Sequence, residues 1–361
     1  MLIFIIVLVV VALIFEHFSL RDPTGMISYE TFAGKNLLEP GEEFDVVSVF
    51  QNSSYLPLPY MKVSENLPAE ILVDIDRIHT SRIQVDLTRD GRPSVLIKSN
   101  IYLMPKQMLE RRIPAAITQR GRYIMRGATI SNGDFFGLRD TIIRCERLSE
   151  IIVMPERAED LPEITALGSF LGNISVRRYI MEDPVLTLGF HEYTGREPQR
   201  DISWIQSARA NKIMVKKYDY TLEPTVTILL NIDVEDEAQD TQLIEKCYCI
   251  ARSVCELMEE KRIQYGFITN AIASGAKGRW PVIGDGLGES HLSAILEGLG
   301  RACYENRESF SGIIDIAIRG AENGRSHILI TPYDNEKLNA AVSRLRRLTG
   351  GEAIAISPQK S

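Results

Sequence analysis

The chain opens on Met1 to Phe15, MLIFIIVLVVVALIF, fifteen residues without a charge or a strongly polar group. No other stretch limits the fold as much, since such a run reads either as a membrane helix or as a secretory leader. As a helix rising about 1.5 Å per residue it spans roughly 22 Å, short of the ~30 Å hydrocarbon core. Extension through Glu16 to Leu20 closes the gap and leaves Glu16 and His17 near the interface. A leader fits poorly, because no Lys or Arg precedes the run and no clear small-residue cleavage site follows it. The expectation is a single transmembrane helix over 1–20, in the cell membrane. Basic residues begin only at Arg21 and Lys35, which places the remainder in the cytoplasm by the positive-inside rule.

The remaining length suits two domains. With 41 basic against 48 acidic residues the net charge is -7, which argues against a nucleic-acid binder driven by bulk charge. Cys145, Cys247, Cys249, Cys255 and Cys303 are odd in number and show no CxxC spacing. They read as buried, apolar-like thiols in a reducing compartment.

Residues 26–155 read as an antiparallel β-sandwich-like domain. Short apolar or alternating runs are separated by Gly, Pro and Asn: Phe44 to Phe50, Ile83 to Leu87, Ser94 to Ile97, Ile113 to Thr118, Tyr123 to Ile130 and Ile151 to Met154. Asn132-Gly133-Asp134 is a turn signal, and Asp134 with Asp140 lacks the alternating oxygen ligands of a calcium loop. Arg111-Arg112 and Arg120-Gly121-Arg122 read as solvated strand ends.

A connecting segment, 156–217, is the most particular part. Phe190 to Tyr218 reads FHEYTGREPQRDISWIQSARANKIMVKKY. Gly195 and Pro198 mark a loop, Asp201 is positioned to cap a helix through Trp204 to Ala210, and Ile213 to Tyr218 alternates like a strand. An arginine held by carboxylates or carbonyls would lock the loop, and Trp204 would bury a large surface. A partner-binding surface and catalysis are the other readings of the same residues.

This stretch resembles the signature of the bacterial family called domain of unknown function 58. The matching positions are Glu192, Tyr193, Gly195, Arg200, Ile202, Trp204, Ser207, Ala208, Arg209 and Lys216, supported upstream by Gln119 to Tyr123, Asn132 to Leu138 and Ile151 to Pro155. The sequence departs from the pattern at Arg196, where the family carries aspartate, and at His191. The resemblance implies a von Willebrand factor A-like C-terminal domain and, as protein partner, a MoxR-type AAA+ ATPase.

Residues 218–361 read as α/β. Thr225 to Ile232 is a continuous apolar run, as in a strand covered on both faces. A helical stripe at Leu243, Cys247, Ile250, Val254, Leu257 and Met258 follows. A strand over Tyr265 to Thr269 comes next, with a helical stripe from Leu292 to Cys303. A strand over His327 to Thr331, a helix over Leu338 to Leu348 and a strand over Ala353 to Ser357 complete the pattern. Alternation of this kind predicts a parallel sheet with any site beyond the carboxyl ends of its strands. The family's metal loop, Asp-x-Ser-x-Ser, stands here as Asp233-Val234-Glu235-Asp236-Glu237. Asp233 and Glu235 are candidate ligands for a divalent cation, against the plainer reading of a solvated acidic loop.

No P-loop, HExxH or GxSxG motif occurs. Gly284 to Gly288 is glycine-rich but out of register for a phosphate cradle, and the five histidines share no metal spacing. The fold class expected is thus α+β multidomain: a transmembrane helix, a sandwich and an α/β domain. The function expected is a non-enzymatic adaptor or scaffold, without a cofactor and without nucleic acid. The alternative is a metal-dependent hydrolase or nuclease using Asp233, Glu235 and Asp236.

Overall fold

The structure, a computed structural model, describes residues 2–19, 27–55, 57–73, 81–87, 93–133, 140–158, 167–168, 170, 183–195, 197–219, 225–234, 241–275, 280–321 and 324–358. The chain divides into two compact units, Met1–Glu156 and Arg157–Ser361, so the connecting segment belongs with the second.

The N-terminal run forms helix α1, Leu2–Ser19. Among the described residues no helix is long and apolar enough to cross a membrane, which overturns the transmembrane helix and the placement in the cell membrane. The physical reason is length. Eighteen helical residues rise roughly 27 Å, and Glu16 and His17 leave only the fifteen residues before them wholly apolar. The extension through Leu20 lies partly outside the described residues.

The first unit is built from β1 (Ile27–Ala33), β2 (Leu37–Leu38), β3 (Glu43–Asn52), β4 (Leu58–Pro68), β5 (Leu72–Val73), β6 (Ser81–Leu87), β7 (Pro93–Leu103), β8 (Met108–Ala116), β9 (Gly121–Met125), β10 (Ala128–Gly133), β11 (Asp140–Cys145) and β12 (Ser149–Val153). They form sheets of order β1-β3-β8-β5, β11-β10-β4-β7-β6 and β2-β12-β9. Alternation sets the faces: β1 buries Ile27, Tyr29, Thr31 and Ala33 and exposes the residues between. Phe50, Tyr29, Met61, Val63, Leu103 and Ile130 form one core between the two larger sheets. Phe44, Val46, Ile97, Ile113, Met125 and Val153 lie in a second, which reaches the small sheet.

Tyr123 to Ile130 is two strands in different sheets, not one. Gly127 breaks it: its φ is +88°, and a Cβ there would sit 2.0 Å from the Cys145 carbonyl. Arg111 is also not a solvated strand end. Its guanidinium bonds the carboxylate of Glu65, which is 3% exposed, and the Ser99 hydroxyl at 2.7 Å. Tyr29 donates to the same carboxylate at 2.9 Å, and Ser48 donates as well. This network ties β1, β3 and β8 of one sheet to β4 and β7 of the other. Burial, followed by the Glu65 charge, raises the Tyr29 phenol well above its ordinary value.

The second unit contains β13 (Asp183–Glu192), α2 (Trp204–Ala210), β14 (Met214–Asp219), β15 (Thr225–Leu230), α3 (Thr241–Lys261), β16 (Gln264–Thr269), β17 (Ala271–Ala273), β18 (Val282–Gly286), α4 (Glu289–Arg301), β19 (Ala302–Asn306), α5 (Phe310–Gly320), β20 (Ser326–Ile330), α6 (Glu336–Thr349) and β21 (Ala353–Ile356). The main sheet has the order β18-β16-β15-β20-β21. Its strands β16, β15, β20 and β21 run parallel, while β18 is antiparallel at the edge. The sheet is therefore mixed, which corrects the all-parallel expectation. A short connection from β17 through a cis Trp280–Pro281 bond returns the chain as β18, too short for the crossover helix that a parallel neighbour needs.

Helix α3 buries Ile244, Cys247, Tyr248, Ile250, Val254, Cys255 and Met258, a stripe at helical spacing. Arg252 lies in that buried set and is held by Glu256 at 2.9 Å, which also takes Arg157 at 3.0 Å where the chain enters the unit. The five cysteines are free thiols, and burial raises the pKa of Cys247 and Cys255. Helix α6 is capped at both ends, by the Asn335 side chain accepting from the Leu338 N–H and by Gly350 at φ +67°.

Candidate functional site

The residues of the 190–218 motif form a β-hairpin with a helical insert. Strands β13 and β14 pair antiparallel, with Glu192 opposite Met214 and Phe190 opposite Lys216. Between them the chain makes a short 3-10 turn, Gln199–Asp201, and then α2. The pin is Ser207. Its hydroxyl donates to the Ser203 carbonyl at 2.8 Å and accepts the Met214 N–H at 2.8 Å, fixing the helix to the strand. Ile202 bridges Val215, which is 2% exposed. Before the turn, Glu197 accepts from the Thr194 N–H and hydroxyl at 3.0 and 2.7 Å and faces His191 at 3.3 Å. The Thr194 hydroxyl bond comes first among the causes that hold its carboxyl at about 2.

Arg200 and Trp204 do not do what their residue types suggest. Arg200 is 85% exposed and reaches only Asp201, at 3.8 Å. Trp204 and Ile205 are 69% and 71% exposed. Ser203, not Asp201, takes the N-cap position of α2, and its side chain makes no cap bond. Tyr193 is half-buried and gives its backbone N–H to Ile213, Glu192 pairs with Lys212 at 3.1 Å, and Ala208 and Arg209 are exposed. Gly195 has a φ of +89°, which explains a glycine at that turn. Arg196 lies outside the described residues.

A second site gathers where the order of the main sheet reverses. From β15 the chain steps to β16 on one side and later to β20 on the other. In open α/β sheets the loops then part at the carboxyl ends of the two neighbouring strands and leave a crevice. Four buried polar residues line that rim: Asn231, Asn270, Thr269 and Thr331. Asn231 Nδ2 donates to Thr331 Oγ1 at 3.2 Å, and its Oδ1 accepts from Asn270 Nδ2 at 2.8 Å and from the Asp233 N–H at 3.0 Å. Asn270 in turn takes the Ile232 N–H at 2.9 Å. The loop after β15 is thus held by side-chain amides, and it aims Asp233 across the rim. The Asp233 carboxylate accepts from Asn306 Nδ2 at 3.1 Å and from the Phe310 N–H at 3.3 Å, at the start of α5.

Beside Asp233 lies a cavity of about 470 Å³. Phe310, Ile314, Ala340 and Ala341 give it an apolar floor between α5 and α6, and Asp233, Ser309, Ser311, Lys337 and Arg344 stand around it. Arg344 pairs with Asp315 at 2.7 Å. Of the two expected metal ligands, Asp233 is at this rim, while Glu235, with Asp236 and Glu237, lies outside the described residues. Among the described residues no group of three or more His, Cys, Asp or Glu side chains is arranged to hold a metal ion. Sequence reading missed Asn231, Asn270, Asn306 and Lys337. The signal available was an asparagine closing each of two apolar runs, TVTILLN and YGFITN. The glycine-rich loop before α4 is filled from within: the Glu259 carboxylate accepts the Gly288 N–H at 2.9 and 3.0 Å, where a phosphate would have to sit.

No family model matches the chain, and no curated protein matches it. Among solved structures, a CARDB domain from Pyrococcus furiosus, in complex with di-metal ions, is 13% identical over 36% of this chain and 89% of its own, with a TM-score of 0.22. A cohesin module of a family 33 glycoside hydrolase from Clostridium perfringens is 10% identical over 36% and 96%, with a TM-score of 0.25. A non-cellulosomal cohesin from Archaeoglobus fulgidus is 11% identical over 35% and 91%, with a TM-score of 0.24. Likeness at this level carries no argument about function. It bears on neither the von Willebrand factor A-like expectation for the second unit nor the expectation of a MoxR-type partner.

Proposed function

We propose that this chain is a non-enzymatic binding protein that takes a side chain of a partner protein into the cavity beside Asp233. The observation that carries the reading is the build of that cavity. It lies at the reversal point of the sheet, has an apolar floor and a charged rim, and is backed by a loop that buried amides hold in place. Such a pocket suits one large apolar anchor with polar contacts around it, the usual core of a protein–protein contact. Its rigid backing lowers the ordering cost of binding. A MoxR-type AAA+ ATPase, implied by the motif around Trp204, is the first partner to try, and ATP hydrolysis would then belong to it.

The test is titration of purified full-length chain with such an ATPase, comparing wild type with Ala340→Trp. Ala340 is exposed at the cavity, so the indole obstructs it without disturbing the core. Binding weakened about tenfold or more at an unchanged melting temperature supports the reading. Equal binding by both proteins refutes the cavity as the contact. The metal-dependent alternative has its own test. Millimolar magnesium that raises the melting temperature of wild type but not of Asp233→Asn would move the function to metal chemistry.

A further inference from the structure

Strand β21 comes last in the main sheet, and among the described residues it pairs on one side alone, with β20. The register decides which of its backbone groups face away. The His327 N–H donates to the Glu352 carbonyl at 2.8 Å, and the Thr331 N–H to the Ile356 carbonyl at 3.1 Å. A parallel ladder takes alternate residues of a strand, so the N–H and C=O of Ala353 and Ala355 point away from β20. Helix α6 meets the first of these carbonyls: Ala353 accepts from Arg346 Nε at 3.1 Å and from Nη2 at 2.6 Å. Between the same helix and strand runs a groove of about 300 Å³. Val342, Ser343 and Arg346 line it from α6, and Ala353, Ile354 and Ala355 from β21. Asp334, already engaged elsewhere in the fold, lines it too. Ile354 and Ala355 are only partly buried and Ser343 is exposed, so solvent reaches both the edge and the groove.

From this edge we infer that β21 takes an extended segment of a partner protein as an added strand, laid in the groove against α6, independently of the cavity beside Asp233. The outward N–H and C=O of Ala355 supply a donor and an acceptor for the new ladder, the main-chain part of such recognition. Alternate side chains of an extended segment point to opposite faces, so every second one enters the groove. Its wall of Val342, Ile354 and Ala355 suits small apolar ones. The charge of Arg346 fixes the remaining feature of the ligand. Its two bonds go to the Ala353 carbonyl, a neutral acceptor, and leave further donors on the guanidinium. A carboxylate on the segment beside the start of β21 therefore gains a charge-assisted bond. The ligand class is an extended peptide, apolar at alternate positions and acidic where it meets Arg346.

The experiment uses the full chain with two fluorescein-labelled peptides of alternating valine and threonine, carrying one glutamate at the amino or at the carboxyl end. Saturable binding of one of them is expected. Ala355→Pro removes only an outward N–H, which an edge strand tolerates, and should weaken that binding about tenfold or more. Ser343→Trp fills the groove from an exposed position and should do the same, so the test stands even where the proline variant fails to fold. Arg346→Gln should weaken binding about threefold and abolish its salt dependence. The same peptide with N-methylated backbone amides should not bind. Unchanged affinity in a folded Ala355→Pro or in Ser343→Trp, equal binding of the methylated peptide, or no binding of either peptide at millimolar concentration each overturns the inference. A wild-type dimer in light scattering that Ser343→Trp dissociates also overturns it, and gives the edge to a second copy of this chain.

Discussion

The two units bury polar groups in different ways. In the β unit the buried centre is ionic and closed on itself: Glu65 receives Arg111, Tyr29 and Ser48, all from the opposing sheet. In the α/β unit the buried centre is neutral and open at one side: Asn231 and Asn270 bond each other and hold the loop that ends at Asp233 beside the cavity. A closed ionic cluster fixes how two sheets meet. An open amide cluster shapes a rim that a ligand can use. Under the proposed function, the first unit's network serves stability and the second's serves recognition, and this contrast can be broken by mutation.

The largest effect is expected at Glu65. Glu65→Leu leaves the Arg111 charge against an apolar core and should cost about 3–5 kcal/mol, read by denaturant unfolding. The double change Glu65→Leu/Arg111→Met removes both charges and should recover most of that loss. A double variant as unstable as the single one would show that the network does more than neutralise itself.

His327 sharpens the α/β side. It lies at the amino end of β20, opposite the rim, at 0% exposure, and among the described residues neither ring nitrogen makes a hydrogen bond of sound geometry. Burial first, and the Arg325 charge second, depress its pKa to about 4 from 6.5, with a backbone group of Arg325 offsetting part of the shift. Between these values the unfolded chain binds the proton and the folded chain does not, so stability rises with pH. Its contribution is therefore complete above pH 6.5 and is lost as pH falls toward 4, by roughly 2–3 kcal/mol. His327→Phe should flatten that slope in denaturant titrations across the window. An unchanged slope would place the acid sensitivity elsewhere.

The rim itself comes next. Asn231→Ala removes three hydrogen-bond roles in a buried place and should cost about 2 kcal/mol. Under the proposal it should also weaken partner binding more than an equally destabilising core change such as Ile228→Ala. Equal weakening by the two would reduce Asn231 to a structural residue.

How much of this was legible in the sequence follows from the distance over which each feature is assembled. The strand at Thr225–Leu230 and the helix at Thr241–Lys261 announce themselves by an apolar run and a 3.6-residue stripe. Helix α5 did not, because FSGIIDIAIRG carries two glycines and four isoleucines and so resembles a strand. Strand β4 was hidden by Glu65, since a charged residue at an inward position breaks the alternation that reveals a strand. The Glu65 partners lie 17, 36 and 46 residues away, and Asn231 meets Thr331 across 100. Contacts at such separations leave no local pattern. The N-terminal run misled for the opposite reason: its hydropathy was plain, but the helix it forms is too short to span a membrane.

The smallest effect separates two residues of one motif. Ser207 and Arg200 both match the 190–218 signature, yet only Ser207 is built into the hairpin, donating to Ser203 and accepting from Met214. Ser207→Ala leaves the Met214 N–H without that acceptor and should cost about 1 kcal/mol. Arg200 reaches only Asp201 and is otherwise in water, so Arg200→Ala should change stability by no more than about 0.5 kcal/mol. If Arg200→Ala nevertheless weakens binding of a partner that Ser207→Ala still binds, the exposed side of α2, with Trp204 and Ile205, is a contact surface in its own right. If neither affects binding, the hairpin is scaffold, and recognition in the second unit falls to the rim at Asp233.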